Sequence, residues 1–284
     1  MSSKLVADFR ATIHAPTLEE PQQGRVMMRP DKLVCATADC RETVPLGKVF
    51  DIGVGVVPPD LQEFFSDSVS LGFADGTVRK TIVLEATATS MERFRTVLFH
   101  HLLTGERVEV RYPAKRGGRI IDSTYESGKL EVTRQSLSIS RPTGTLRITL
   151  DDVTTFSTGR TTVDGTDQQF ISVGFLDGTM TVTTRILTNS DRVHTLLGRY
   201  LKLDYRRIHS EIVRIDLSPS AIRALLAIDA GMMDLEGMLP ESADATETIS
   251  RLREENLLKP ADGELLLTRR GRIATQVHGE SVNN

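Results

Sequence analysis

The chain has 284 residues, 39% of them hydrophobic, with 35 basic against 38 acidic side chains and a formal net charge of −3. That length accommodates two or three domains with cores of their own, and the near balance of charge lacks the basic character of a nucleic-acid binder. Aromatic residues are scarce and Trp is absent, so the cores must be built from Val, Leu, Ile and Met.

The first residues interrupt their apolar side chains with Lys4, Asp8 and Arg10, which removes the continuous apolar run of a signal peptide. No window approaches the length of apolar sequence that spans a bilayer, so a soluble, cytoplasmic protein without membrane insertion is expected. A first strand is read over residues 4–13, then a loop holding Pro16 and Pro21. Cys35 and Cys40 flank a turn at Ala38-Asp39. Without a second pair of ligands they make a poor metal site and are read as reduced thiols on neighbouring strands.

The dominant feature occurs twice. Gly72, Phe73, Asp75, Gly76 and Thr77 recur at Gly174, Phe175, Asp177, Gly178 and Thr179, an offset of 102. Asp-Gly between β-branched runs predicts a hairpin with positive φ at both central turn positions. Upstream, Val26, Leu33, Val44, Leu46, Val49 and Ile52 have apolar partners 104 positions on, at Leu130, Leu137, Ile148, Leu150, Val153 and Phe156. Each unit therefore predicts a run of short antiparallel strands ending in one helix. The unit is similar to a PH-like sandwich, an orthogonal pair of sheets plugged by a C-terminal helix. Two in tandem are expected, at 1–104 and 105–209.

The first of these helices is expected to be capped by Ser90 and to bury Met91, Phe94, Leu98 and Leu102. The second begins after Ser190 and buries Val193, Leu196, Leu197, Tyr200 and Leu201. Residues 53–67 form an insertion whose Leu61, Phe64 and Phe65 are read either as satellite core or as a partner anchor. His100 and His101 are adjacent, so on a helix they point about 100° apart and do not converge on one ion.

Between the units, Arg107, Arg111, Lys115, Arg116 and Arg119 stand against Glu106 and Glu109. Two readings are open: a solvated turn between domains, or a surface that offers backbone amides and guanidinium groups to a phosphate or an acidic partner. The stretch has neither the ending of a nucleotide loop nor a GxGxxG fingerprint.

From Leu217 on the periodicity is helical. Ser218 is placed as N-cap with Pro219 at the first helical position, followed by Ile222, Leu225 and Leu226, and Gly231 closes that helix. A second helix is read over 234–239 and a third over 244–258. A hairpin turning at Asp262-Gly263 and a last helix from Thr268 complete a winged-helix-like tail at 210–284. Such a domain reads DNA with its third helix, but that helix carries Asp244, Glu247, Glu254 and Glu255 against Arg251 and Arg253. From Leu217 on there are seven basic and eleven acidic residues, a surface that works against phosphate contact. Arg269, Arg270 and Arg272 are the one local basic cluster. No Ser-His-Asp arrangement, paired-carboxylate motif or metal-ligand cluster is legible, so neither catalysis nor a cofactor is expected.

Five stretches in order, GRVMMRPDKLV from Gly24, VFDIGVGVVPPDLQEFF from Val49, YPAKRGGRI from Tyr112, LGRYLKLDY from Leu197 and IDLSP from Ile215, resemble the CheF family of archaeal taxis adaptors. The resemblance implies an α+β adaptor that links phosphorylated CheY, with CheC and CheD, to the archaellum switch proteins ArlC, ArlD and ArlE. It implies a place at the cytoplasmic face of the motor. A homodimer is expected there, because an annular motor offers repeated sites. The segment from Leu217 through Ser218, Ile222 and Leu225 to Leu226 is also similar to the CheY-docking helix of FliM, departing from it at Ala221 and Arg223. Those five residues are either a CheY-docking face or the core face of the first tail helix. The rival from another class is a winged-helix transcription regulator whose repeats sense a ligand, and a third reading is a PH-like membrane-surface module that uses the bases from Arg111 to Arg119.

Overall fold

The computed structural model describes residues 4–55, 57, 59–65, 67–163, 165–178, 180–232, 245–261 and 264–279. Period-two alternation of buried and exposed side chains produces two antiparallel sheets in succession. The first contains β1 (Ala7–His14), β2 (Gln22–Met28), β3 (Lys32–Ala36), β4 (Arg41–Pro45), β5 (Val49–Val54), β6 (Val69–Asp75) and β7 (Val78–Glu85), and leads into α1 (Ala88–Leu103). The second contains β8 (Arg107–Arg116), β9 (Arg119–Ile120), β10 (Tyr125–Val132), β11 (Ser136–Arg141), β12 (Gly144–Thr149), β13 (Val153–Val163), β14 (Thr166–Asp177) and β15 (Met180–Thr188), and leads into α2 (Asp191–Val213).

Strand order is β4-β3-β2-β1-β7-β6-β5 in the first sheet and β12-β11-β10-β8-β15-β14-β13 in the second, with β9 paired to β8. The two orders superimpose strand for strand, and a short 3-10 turn, Leu46–Lys48 and Leu150–Asp152, sits between the same strands in each. Of the twelve apolar positions expected to correspond, eleven are buried. The exception, Phe156, is half-buried with the Lys202 ammonium 4.5 Å from its ring centroid.

The repeated turn lies one residue later than expected. Asp75 pairs with Val78 and Asp177 with Met180, so Asp is the last ladder residue and Gly takes the first central position. Gly76 has φ +61° and Gly178 φ +64°, whereas Asn256 is the one non-glycine residue with positive φ among those described. Thr77 therefore turns without positive φ, as the second central residue of a type II′ turn does. Thr179 lies outside the described residues.

The Gly-Phe pair before each turn has its own cause. Opposite it, the ladder steps from Val49↔Phe73 to Asp51↔Gly72 and from Val153↔Phe175 to Thr155↔Gly174. Each step leaves one extra residue, Phe50 or Thr154, as a β-bulge. A Cβ on Gly72 would lie 3.0 Å from the Phe50 ring, and one on Gly174 would lie 2.1 Å from Thr155 Oγ1. Glycine is the residue that lets the bulged strand approach.

α1 is capped by Thr87 rather than Ser90: Ser90 N donates to Thr87 Oγ1 at 3.4 Å, which places Ser90 in the first turn. Ser190 caps α2, accepting from Val193 N at 3.2 Å. The expected apolar faces of both helices are buried, and α1 adds Phe99 and Leu103. One continuous apolar core runs through both sheets and both helices, with Phe99 of α1 5.7 Å from Tyr200 of α2, centroid to centroid. In the insertion, Leu61 and Phe65 form a satellite cluster with Val83, while Phe64 is exposed.

The tail contains α3 (Pro219–Asp229), α4 (Ala245–Glu254), β16 (Leu258–Ala261), β17 (Glu264–Leu267) and α5 (Arg269–Gly279). Its core is separate from the first and includes Ile208 and Ile212, so α2 runs on past residue 210 and serves both cores. Ser218 caps α3 with Pro219 at its start, and Gly231 takes φ +75° after it. α4 ends at Glu254, before the expected 258, because Asn256 turns the chain at φ +56° and Leu258 already pairs in β16. The helix expected over 234–239 and the Asp262-Gly263 turn lie outside the described residues. No described helix is long and apolar enough to cross a membrane.

Candidate partner-binding surfaces

The basic stretch after α1 is strand, not loop. Arg107 to Arg116 form β8, which is paired on both sides within the second sheet. Gly117 and Gly118, at φ +53° and +79°, reverse the chain into β9. The five bases are therefore spread rather than gathered: Arg107 and Arg116 are nine residues apart, roughly 30 Å along a strand. Arg111 is half-buried and donates to Ile121 O at 2.9 Å and to Ser123 Oγ at 3.3 Å. Lys115, Arg116 and Arg119 are exposed and collect at the hairpin end.

His100 and His101 lie on α1 with ring centroids 5.3 Å apart and planes nearly perpendicular. His100 Nδ1 is 2.7 Å from Val132 O. Burial pushes the His101 imidazole to the acid side of its ordinary range, with the neighbouring His100 adding to the shift. Between α1 and α2 a groove of about 470 Å³ is lined by Glu92, Arg95, Phe99, Arg134 and Tyr200 among others. The buried Tyr200 hydroxyl is aligned with Thr133 O at 2.9 Å and Ser136 O at 3.0 Å, which fixes the turn between β10 and β11 against α2.

In the tail, Leu217, Ile222 and Leu225 are buried among Ile212, Leu252, Leu257 and Ile273, and Leu226 is half-buried against them. The apolar face of α3 is thus directed into its own domain, and Ser218 is occupied in capping. The outward surface of α4 carries Ser250, Arg251, Arg253 and Glu254. The basic cluster on α5 is held internally. Arg269 Nε donates to Val153 O at 2.8 Å, Arg270 pairs with Glu211, and Arg272 Nη1 is 2.9 Å from Asp229. A phosphate backbone would have to compete with these carboxylates and carbonyls, which disfavours the DNA-reading alternative.

Three arginines join the modules, and sequence reasoning named only one of them, Arg269, as part of the basic cluster. Arg192, second residue of α2, donates from Nε to Val49 O at 2.8 Å and from Nη2 to Leu46 O at 3.3 Å, and its Nη1 meets Glu106 at 3.0 Å. Arg199 makes a two-pronged pair with Asp51 at 2.9 and 3.0 Å. Arg269 opens α5 with the contact to Val153 O. LGRYLKLDY, singled out as a stretch, did contain Arg199, but its partner is 148 residues away.

The chain so folded is similar in sequence to taxis proteins. Residues 5–207 match the model of the family described as archaeal chemotaxis signal transduction system protein F. The taxis protein CheF2 of Halobacterium salinarum is 33% identical over 290 aligned residues, covering 100% of both chains. This chain belongs to that family. Taxis protein CheF1 of the same organism is 21% identical over 267 residues, covering 92% of this chain and 89% of its own. The family match spans both sheets and most of α2, and the alignment with CheF2 takes in the tail as well. The protein is a chemotaxis signal transduction protein, as the resemblance implied.

Proposed function

We propose that this protein is a non-enzymatic adaptor that receives phosphorylated CheY and couples it to the archaellum switch proteins ArlC, ArlD and ArlE, with CheC and CheD as further partners. The observation that carries the reading is the division into two cores on a chain related over its whole length to a taxis protein. The double-sheet body, read as two PH-like units, is suited to holding the motor. The winged-helix-like tail, with a core of its own, receives the signal. Phosphorylation shifts CheY toward the conformer the tail prefers. Two copies at the cytoplasmic face of an annular motor raise the effective concentration of each contact.

Burial supports α4 over α3 as the receiving surface. Offering Leu217, Ile222 and Leu225 to CheY would require α3 to leave a core in which each fully buried side chain contributes about 1.5–3 kcal/mol. The outward residues of α4 need no such rearrangement. Calorimetric titration of the full chain with CheY, with and without a phosphoryl mimic and Mg²⁺, tests the reading. Binding of the activated form alone is expected, weakened roughly threefold to tenfold by Arg253→Glu on the α4 surface. Silence toward both forms of CheY would remove the adaptor reading.

A further inference from the structure

We propose that the end of the second sheet, where the β8–β9 and β14–β15 turns meet, is a docking tip for an anionic lipid surface. Ile120 is 75% exposed and Met180 45%, and Lys115, Arg116 and Arg119 stand exposed around them. The tip is fixed in shape. Gly117 and Gly118 hold a tight reversal with both φ positive, and Gly117 N donates to Thr181 O at 2.9 Å, tying one turn to the other. A Cβ on Gly118 or Gly178 would meet nothing within 4 Å, so both glycines border open space.

The distribution of side chains indicates what such a tip fits. Residues directly opposite on an antiparallel ladder share a face, and neighbours along a strand alternate. Lys115 is opposite Ile120, which puts both on one face. Arg116 is opposite Arg119 and also opposite Val182, two residues from Met180, which puts these on the other. Each face therefore has one apolar and at least one cationic group. A helix or peptide lying along one face would reach half of the set. A plane meeting the sheet end-on reaches all five, and a headgroup layer is such a plane: phosphates for the cations, the acyl boundary for Ile120 and Met180. Of the nearby acids, Asp177 is 3.4 Å from Arg116. Asp122 lies farther from the turn than Ile120, since Ile121 N already bonds Ala114 O.

The first repeat shows that the fold does not demand this tip. Its corresponding β1–β2 connection, residues 15–21, has no extra hairpin and carries Glu19 and Glu20. Its β6–β7 turn exposes Val78 beside a Lys80–Asp75 pair at 2.5 Å. The cationic, apolar hairpin is an addition confined to the second sheet.

Co-sedimentation of the full-length protein with vesicles of phosphatidylcholine containing phosphatidylglycerol, against phosphatidylcholine alone, tests the proposal. Binding to the anionic vesicles only is expected, falling as salt is raised. Lys115→Gln with Arg119→Gln should lower partitioning about tenfold or more, and Ile120→Ser by a similar factor. Thermal unfolding should be unchanged in both, because the side chains are exposed. Arg93→Gln with Arg223→Gln, exposed elsewhere, should bind as the parent does. The proposal fails if the parent stays in the supernatant, if the tip variants sediment like it, or if the remote variant loses as much. Tip-dependent binding of poly-glutamate without binding of vesicles would also overturn it and assign the tip to an acidic protein.

Discussion

Two cysteines five residues apart meet opposite environments. Cys35 is buried in β3, and its thiol is pushed up to about 12, first by burial and then by Cys40 and Glu42. Cys40, just before β4, is half-buried with Sγ 2.9 Å from Thr17 Oγ1. Only thiolates alkylate at useful rates, so iodoacetamide should modify Cys40 alone in the native protein and both residues after denaturation, as read by mass spectrometry; native modification of Cys35 would contradict the burial. The same shift predicts a pH dependence. The folded value lies above the ordinary 9.0, so the stability gained by keeping this thiol neutral is complete below about pH 9. It is lost as pH rises from there toward 12, at up to about 1.4 kcal/mol per pH unit. Denaturant midpoints measured on either side of pH 9 should show that slope in the parent and a shallower one in Cys35→Ala. The sequence marked both residues as reduced thiols; which one is sealed depends on the face of β3 that meets the core, and that is set by strands outside the motif.

At the scale of elements, the repeat was legible because hairpin and helix lie close together in the chain, although the turn falls one residue later than expected and Thr87 rather than Ser90 caps α1. The reason for its Gly-Phe pair was not, since it resides in the bulge of the strand opposite. Gly174→Ala should cost roughly 1–3 kcal/mol through the clash with Thr155, and Thr155→Ala in the same protein should recover part of it, because the nearest atoms to the new Cβ are those of that side chain. Additive losses in a double-mutant cycle of urea midpoints would show that the bulge does not set this position. α3 illustrates a different limit. Its cap and periodicity were read correctly, yet an apolar stripe has the same spacing whether it faces its own domain or a partner. The structure supplies the wall, Leu252, Leu257 and Ile273. Ile222→Asp, which buries an unpaired carboxylate there, should destabilise the tail by about 3 kcal/mol or more and lose the tail's unfolding transition before any effect on CheY can be read.

Across the whole molecule, one docking device is used twice. Val49 and Val153 are equivalent positions, 104 apart, at the start of the bulged strand in each sheet. The carbonyl of each receives Nε of an arginine at 2.8 Å from the first turn of a helix in the next module, Arg192 of α2 on the first sheet and Arg269 of α5 on the second. Each module therefore locks onto its predecessor at the same place. The consequences differ, because α2 also closes the core it shares with the first sheet, whereas α5 belongs to the separate tail core. Calorimetry of the full chain should accordingly resolve two unfolding transitions, one for both sheets together and one for the tail. Arg269→Ala removes donors to Val153 O and Asp151 and should lower the tail transition by the equivalent of about 1–3 kcal/mol, leaving the larger one in place. Arg192→Ala should do the reverse, lowering the transition of the sheets. Hydrogen exchange provides the check on location: in Arg269→Ala protection should fall in α5 and α3 while β5 and β6 keep theirs. A single transition that moves as one in both variants would mean that the tail and the body unfold together, and the division into two cores would then not make the tail a module of its own.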